Sequence, residues 1–282
     1  ALFAGGWRNT PSTARSNAID FITISTQGNG QDFGDLSRRA SYIGTASSRT
    51  RGIYGGGENP SVTNVIEFVT FSTTGNATDF GDMTDQRRRM GDMGLSNQTR
   101  GLFCGGYDGS SGGTLNLIDF ITIASTGNAV DYGDLENKRE TGASFASPTR
   151  GLNMGGRVQP ANTKMNNIEF VTIASTGNAI DFGDVSGGVN YGSGAVSSPT
   201  RGVFSLGRTS PSGANTNNIE FVTISTQGNS ADFGDRTYAS YAPAGAGNAT
   251  RGIFFSAGPG GNNTDTIDFV TISTLGNATD FG

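Results

Sequence analysis

The sequence predicts an all-β fold: a six-bladed β-propeller with four antiparallel strands per blade, the first blade lacking its innermost strand within this chain. Three observations predict it. First, one segment recurs six times, from IDFITISTQGNGQDFGD at 19–35 and IEFVTFSTTGNATDFGD at 66–82 to IDFVTISTLGNATDFG at 267–282. Second, the glycines of its central turn, Gly28, Gly75, Gly127, Gly177, Gly228 and Gly276, are spaced by 47, 52, 50, 51 and 48 residues. A period near 50 is that of a propeller blade, whereas the rungs of a parallel β-helix are about half as long. Third, each unit holds four short segments, here a to d, whose composition suits strands rather than helices. The units run over about 1–36, 37–83, 84–135, 136–185, 186–235 and 236–282, forming one domain.

Segment a (40–48 in the second unit) is built from small residues, as a crowded position near an axis requires, and it occurs only five times. Segment b reads RGIYGGG at 51–57 and RGLFCGG at 100–106, ending in a glycine pair. Segment c, such as 65–72, is rich in β-branched and aromatic residues. Its alternation puts Ile66, Phe68 and Thr70 on one face and Val65, Glu67, Val69 and Phe71 on the other. Both faces are mostly apolar, so the strand is expected to be covered on both sides, as between stacked blades. Thr74-Gly75-Asn76 and its equivalents read as tight turns into segment d, with Gly and Asn supplying positive φ. Six units of about 50 residues exceed the 282 present by about 18, one linker plus one strand a. The expectation is therefore a chain cut from a longer protein whose flanking residues supply that strand.

Composition removes several function classes. The chain has no His, so a Ser-His-Asp triad or a His metal site cannot form, and the single Cys104 permits no internal disulfide. A net charge of −5 argues against a nucleic-acid binder. No apolar run approaches the ~20 residues that span a bilayer. No phosphate-loop Gly-Lys-Ser/Thr follows the glycine pairs. No cofactor or metal is expected.

The repeated carboxylates fall mid-strand on a covered face and need partners. The regular arginines suggest a structural clasp in each blade: Glu67 with Arg51, Asp119 with Arg100, Glu169 with Arg150, Glu220 with Arg201 and Asp268 with Arg251. The Asp pairs around each Phe-Gly or Tyr-Gly (Asp79/Asp82, Asp131/Asp134) read as turn bonding, with Ca²⁺ ligation the alternative. The aromatics between them, such as Phe80, read as packing between blades. Cys104 reads as a buried, inert thiol.

The b–c and d–a connections differ in every unit, and in up-and-down blades both emerge on one face. Individual loops on a repeated scaffold are where binding resides. Trp7, Arg8, Tyr107, Asp108, Arg157 and Arg208 on the b–c loops are the candidate ligand contacts. Arg38, Arg39, Arg87, Arg88, Arg89, Lys138 and Arg139 on the d–a connections add positive charge that would attract acidic polysaccharide. Only the unrepeated Glu58, Asp85, Asp92, Asp108, Glu136, Glu140 and Asp265 are available as a carboxylate pair for hydrolysis, and they form no motif. The reading is therefore non-enzymatic.

The order of cues resembles a kelch repeat: Gly55-Gly56 closing strand b, Glu67-Phe68 in strand c, and Phe80 as the strand d aromatic. Phe or Tyr stands where kelch blades usually have Trp. The phrase IEFVTIASTGNAxDFGDL…TRGxFxGG is similar to repeats of virion structural proteins of marine tailed phages, especially those of cyanobacteria, over essentially the whole chain. The resemblance implies a component of an extracellular particle: a fibre, tail or capsid-surface module. Its partners would be other virion proteins or a host-surface glycan, with homo-oligomers compatible and no membrane insertion. A purely structural decoration or spacer protein, and a non-viral lectin, are the alternatives.

Overall fold

A computed structural model describes residues 1–8, 14–26, 28–90, 93–110, 113–191, 194–209, 213–240, 242–255 and 266–281. No helix occurs among them. Six small antiparallel sheets are arranged as a six-bladed β-propeller. Blade 2 is representative: strands a (Gly44–Ser47), b (Arg51–Gly55), c (Val65–Thr70) and d (Thr78–Asp82) pair in that order. Blade 3 repeats this with Gly94–Ser96, Arg100–Cys104, Leu117–Thr122 and Val130–Asp134. In blade 4, strands c (Thr163–Thr172) and d (Ile180–Tyr191) lengthen toward the loop face, where Arg208–Thr209 of blade 5 joins the sheet. Blade 1 has three strands among the described residues, b (Leu2–Ala4), c (Ala18–Phe21) and d (Gln31–Asp35).

The two-sided apolar pattern of strand c is explained by blade stacking. Ile66 and Phe80 join Leu102 and Ile118 of blade 3 in one cluster, while Val69 and Tyr54 pack with Phe33 and Leu36 of blade 1 in another. The strand d aromatic also meets its own blade: Phe80 lies edge-on to Phe68, with ring centroids 5.9 Å apart and planes at 82°. The small residues of strand a are forced by crowding at the axis. A Cβ on Gly94 would lie 1.8 Å from the Thr45 carbonyl oxygen of the neighbouring blade.

Strands c and d share a β-bulge in the first five blades, between Ile66 and Glu67 in blade 2. Glu67 opposes Asp79 and Ile66 opposes Gly81, so Phe80 is the extra residue. Gly81 takes φ +146°, and a Cβ there would strike the Gly127 carbonyl of the next blade at 2.5 Å. That close approach is a joint. Gly127 N donates to Phe80 O (2.7 Å), Ala129 N to Asp82 O (2.7 Å), and Asp82 N to the Asn128 side-chain oxygen (3.1 Å). The same joint recurs between blades 1 and 2, 3 and 4, 4 and 5, and 5 and 6. The outermost strands therefore present no free edge to solvent there. The turn asparagine acts as an acceptor toward the neighbouring blade, a different role from the positive φ expected of it. None of these asparagines has positive φ.

Candidate functional site

The face carrying the b–c and d–a connections is organised from the glycine pair outward. Gly56 and Gly57 have φ of +66° and +95°, and a Cβ on Gly56 would meet the Arg87 carbonyl at 2.5 Å. Gly57 N donates to that carbonyl at 2.8 Å, locking this b–c loop to the following d–a connection. The repeat occurs at Gly106 with Arg139 O and at Gly6 with Ala40 O, both 2.8 Å.

Five mid-strand carboxylates, all but the exposed Asp20, are buried and partnered, but not by the expected arginines. Asp119 is bound by Arg87, Glu169 by Arg139, and Glu67 more distantly by Arg38 at 3.9 Å. All three arginines come from d–a connections. Asp119 also accepts from Thr84 N (3.1 Å) and Thr84 Oγ1 (2.6 Å), and Glu67 from Ser37 N (2.9 Å). Glu220 has no such arginine and accepts instead from Ser186 N (3.3 Å) and Ser230 Oγ (2.5 Å). Asp268 accepts from Thr237 N (3.2 Å) and Oγ1 (2.5 Å), with Arg236 nearby. Each carboxylate thus caps the chain arriving from the previous blade.

The pairings of Glu67 with Arg51, Asp119 with Arg100, Glu169 with Arg150, Glu220 with Arg201 and Asp268 with Arg251 are therefore corrected. In strand register Arg51 lies opposite Thr70 while Glu67 lies opposite Tyr54, about 10 Å away along the strand. Arg51 stacks instead on Phe68 (4.5 Å to the ring centre) and donates to Ile123 O of blade 3 at 2.8 Å. Arg100, Arg150 and Arg201 repeat this onto Ile173, Ile224 and Ile272 at 2.9–3.0 Å. Arg251 donates to Ile24 O of blade 1 at 3.1 Å and closes the ring.

The positive charge of the d–a connections is correspondingly smaller at the surface than its count suggests. Arg87 and Arg139 are fully buried, and burial lowers the affinity of Arg139 for its proton against the opposing pull of Glu169. Arg39 and Lys138 are exposed. Arg88 and Arg89 flank the Tyr107 ring at 5.3 and 5.0 Å. Two buried glutamates tie these loops together. Glu58 binds Arg88 and Arg15 (2.5 Å to the latter), and Glu140 binds Arg89 (3.0 Å) and Arg157 (2.7 Å).

The predicted ligand contacts divide accordingly. Trp7 is 48% exposed with the Arg15 guanidinium 4.7 Å over its ring. Tyr107 is half-buried and held between arginines. Arg157 is buried in its bond to Glu140 and does not reach the surface as expected, because the loop folds back as a two-residue strand onto Thr163–Lys164. Asp108 accepts from Ser110 N at 2.7 Å and closes its own loop. Arg208 donates to Gly213 O. The backbone of Arg8 pairs with Ala14, and its side chain lies outside the described residues. Tyr42 (40% exposed, φ +61°) and Tyr238 (43%) are exposed on the same face and were not singled out from sequence. Their segments differ between units, so no internal comparison marks them.

No group of three or more metal-ligating side chains is found among the described residues. Of the carboxylates available for catalysis, Glu58 and Glu140 are bound to arginines and Asp108 to its own loop, while Asp92 and Asp265 lie outside the described residues.

No protein-family model matches the chain, and no curated protein does. The functional reading rests on the loop face and on the sequence.

Proposed function

We propose that the chain is a non-enzymatic binding module of a phage particle, a fibre, tail or capsid-surface component, and that its individual loop face binds a host-surface glycan. The observation that carries this reading is the clustering of exposed aromatics on that face. Trp7 and Tyr42 line one cleft, and their loops are braced by the Glu58 clasp through Arg15 and Ser41, while Tyr238 is exposed on the same face. Rigid aromatic rings stack on the apolar faces of sugars, and neighbouring Arg, Asn and hydroxyl groups supply hydrogen bonds. The kelch-like order of cues and the similarity to virion repeats point the same way.

The test is binding of labelled chain to polysaccharide extracted from marine cyanobacteria. Saturable binding that weakens at least tenfold in Trp7→Ala or Tyr42→Ala supports the reading. A folded chain that binds none of the extracts overturns it. The structural reading, a decoration or spacer protein, is favoured by one observation. Val130 and Ile180, each 56% exposed, are apolar residues at matching positions on the rims of adjacent blades, where a neighbouring subunit could pack.

A further inference from the structure

Glu58 and Glu140 gather more positive charge than a buried carboxylate needs. Among the described residues, the mid-strand carboxylates Glu67, Asp119 and Glu169 each take one arginine. Glu58 takes Arg15 and Arg88, and Glu140 takes Arg89 and Arg157, so four guanidinium groups face two carboxylates. Arg88 and Arg89 are consecutive and partly exposed, at 20% and 24% of their side chains, whereas Arg157 is buried. Their guanidinium groups stand 5.3 and 5.0 Å from the centre of the Tyr107 ring. That ring is held in place, because Arg88 N donates to Tyr107 O (3.0 Å) and Tyr107 N to Arg88 O (2.8 Å). Among the described residues each of the two arginines reaches its glutamate through Nη1 alone. Burial, and then the like charge of Arg89, lower the affinity of Arg88 for its proton. Asp108, the next residue of the Tyr107 loop, turns into that loop by accepting from Ser110 N (2.7 Å).

The backbone singles out the same place. Tyr42, Arg89 and Thr141 occupy equivalent positions, each following a residue that bridges to a b–c loop, with φ of +61°, +58° and +59°. Glycine takes that conformation at least cost, and the chain uses 45 glycines elsewhere. Three different side chains are kept here despite the strain, and left-handed residues other than glycine gather at ligand clamps. Tyr42 is 40% exposed and lies within electrostatic range of Arg88, so it belongs to the cluster.

We infer, resting on the glycan reading above, that Arg88 and Arg89, with Tyr42 and Tyr107 beside them, bind an acidic group of the glycan, a carboxylate or a sulfate ester. Two adjacent guanidinium groups offer N–H donors to the oxygens of one anion, and the anion relieves the repulsion between them. The exposed Tyr42 ring offers a face to the sugar that carries the charge. Arg15 and Arg157 stay with Glu58 and Glu140, so neither glutamate is left unpaired while the outer arginines hold ligand.

The test divides polysaccharide extracted from marine cyanobacteria into neutral and acidic fractions and measures the affinity of the 282-residue chain for each. The acidic fraction is expected to bind about tenfold more tightly, with an advantage that shrinks as sodium chloride is raised. Carboxyl reduction and desulfation of the acidic fraction distinguish the two anions, and one treatment or the other is expected to abolish the advantage. Arg88→Gln and Arg89→Gln are each expected to remove most of it. Each leaves its glutamate one arginine, and thermal melts check that the fold survives. Arg49→Gln removes the same charge from an exposed a–b turn on the opposite face and is expected to change affinity by less than about twofold. The comparison of fractions needs no variant, so it decides the matter even where a substitution unfolds the chain. A neutral fraction bound as tightly as the acidic one overturns the inference and leaves the glycan reading standing. So does an advantage that survives both chemical treatments together, or one that Arg49→Gln reduces as much as Arg88→Gln does. Binding of neither fraction overturns both.

Discussion

At the scale of single residues, the buried carboxylates illustrate how charge is accommodated inside this β-structure. Arg87 and Asp119 are both fully buried, and Arg87 also donates to the carbonyls of Gly105 (3.2 Å) and Leu117 (3.1 Å). Removing one member of such a pair strands the other in an apolar surrounding. Arg87→Met is expected to lower stability in urea melts by about 3–5 kcal/mol, and the double change Arg87→Met with Asp119→Leu to recover much of that loss. An equal or larger loss in the double variant would show that the carbonyl contacts matter more than the ion pair. Cys104 provides a second test. It is fully buried, and burial pushes its thiol up to about 12. The thiolate is therefore the disfavoured form throughout the neutral range. Disulfide-exchange reagents are expected to leave it untouched until denaturant unfolds blade 3, and rapid labelling of the native protein would contradict this burial. That an inert thiol sits here was legible from the small and apolar residues at the equivalent positions of other units. The true partner of each carboxylate was not, because pairing depends on which arginine the three-dimensional register brings near.

At the scale of elements, the joint between a strand d and the next blade's turn is the feature most specific to this repeat. Gly81 is required twice over, by its φ of +146° and by the approach of the Gly127 carbonyl. Gly81→Ala is expected to cost roughly 1–3 kcal/mol, since a side chain must be held in a disfavoured conformation against backbone. Asn128→Ala removes one hydrogen bond to Asp82 N, at a cost of about 1 kcal/mol. Thermal melts of the two variants check the order; an Asn128 loss exceeding that of Gly81 would contradict the steric account. The Asp-Phe-Gly-Asp cluster, read from sequence as turn bonding, lies instead in strand d, where the backbone of Asp82 meets the next blade, although its repetition was legible. The use of Asn as a bridge to another blade was not, because residues about 46 apart meet only once the blades stack.

At the scale of the whole molecule, the ring closes through Arg251, whose guanidinium stacks on Phe269 at 4.6 Å and reaches Ile24 O across 227 residues of sequence. Phe3 and Phe255 add a ring contact with centroids 3.8 Å apart. Arg100 makes the same kind of contact between blades 3 and 4, where the chain is continuous on both sides. Arg251→Ala and Arg100→Ala therefore lose similar local interactions but different global ones. Hydrogen exchange is expected to quicken at residues 2–4 and 18–22 in Arg251→Ala while blades 3 and 4 stay protected, whereas Arg100→Ala leaves residues 2–4 unchanged. Indistinguishable exchange patterns would mean that closure does not rest on this junction.

The repeat by itself determined the architecture. A 47–52 residue period, four segments per unit and a doubly apolar strand c leave stacked four-stranded blades as the arrangement that buries both faces. It also determined that blade 1 shows three strands among the described residues, since segment a occurs five times in these residues and segment c six. Only the tertiary structure decided which charges meet. Arg51 and Glu67 share an expected role in sequence, yet the strand register holds them apart, while Arg38, Arg87 and Arg139 arrive from connections that looked like surface loops. Periodicity reports which face of a strand is covered. It carries no information on the angle at which the next blade docks, and that angle selects the partner of every buried charge.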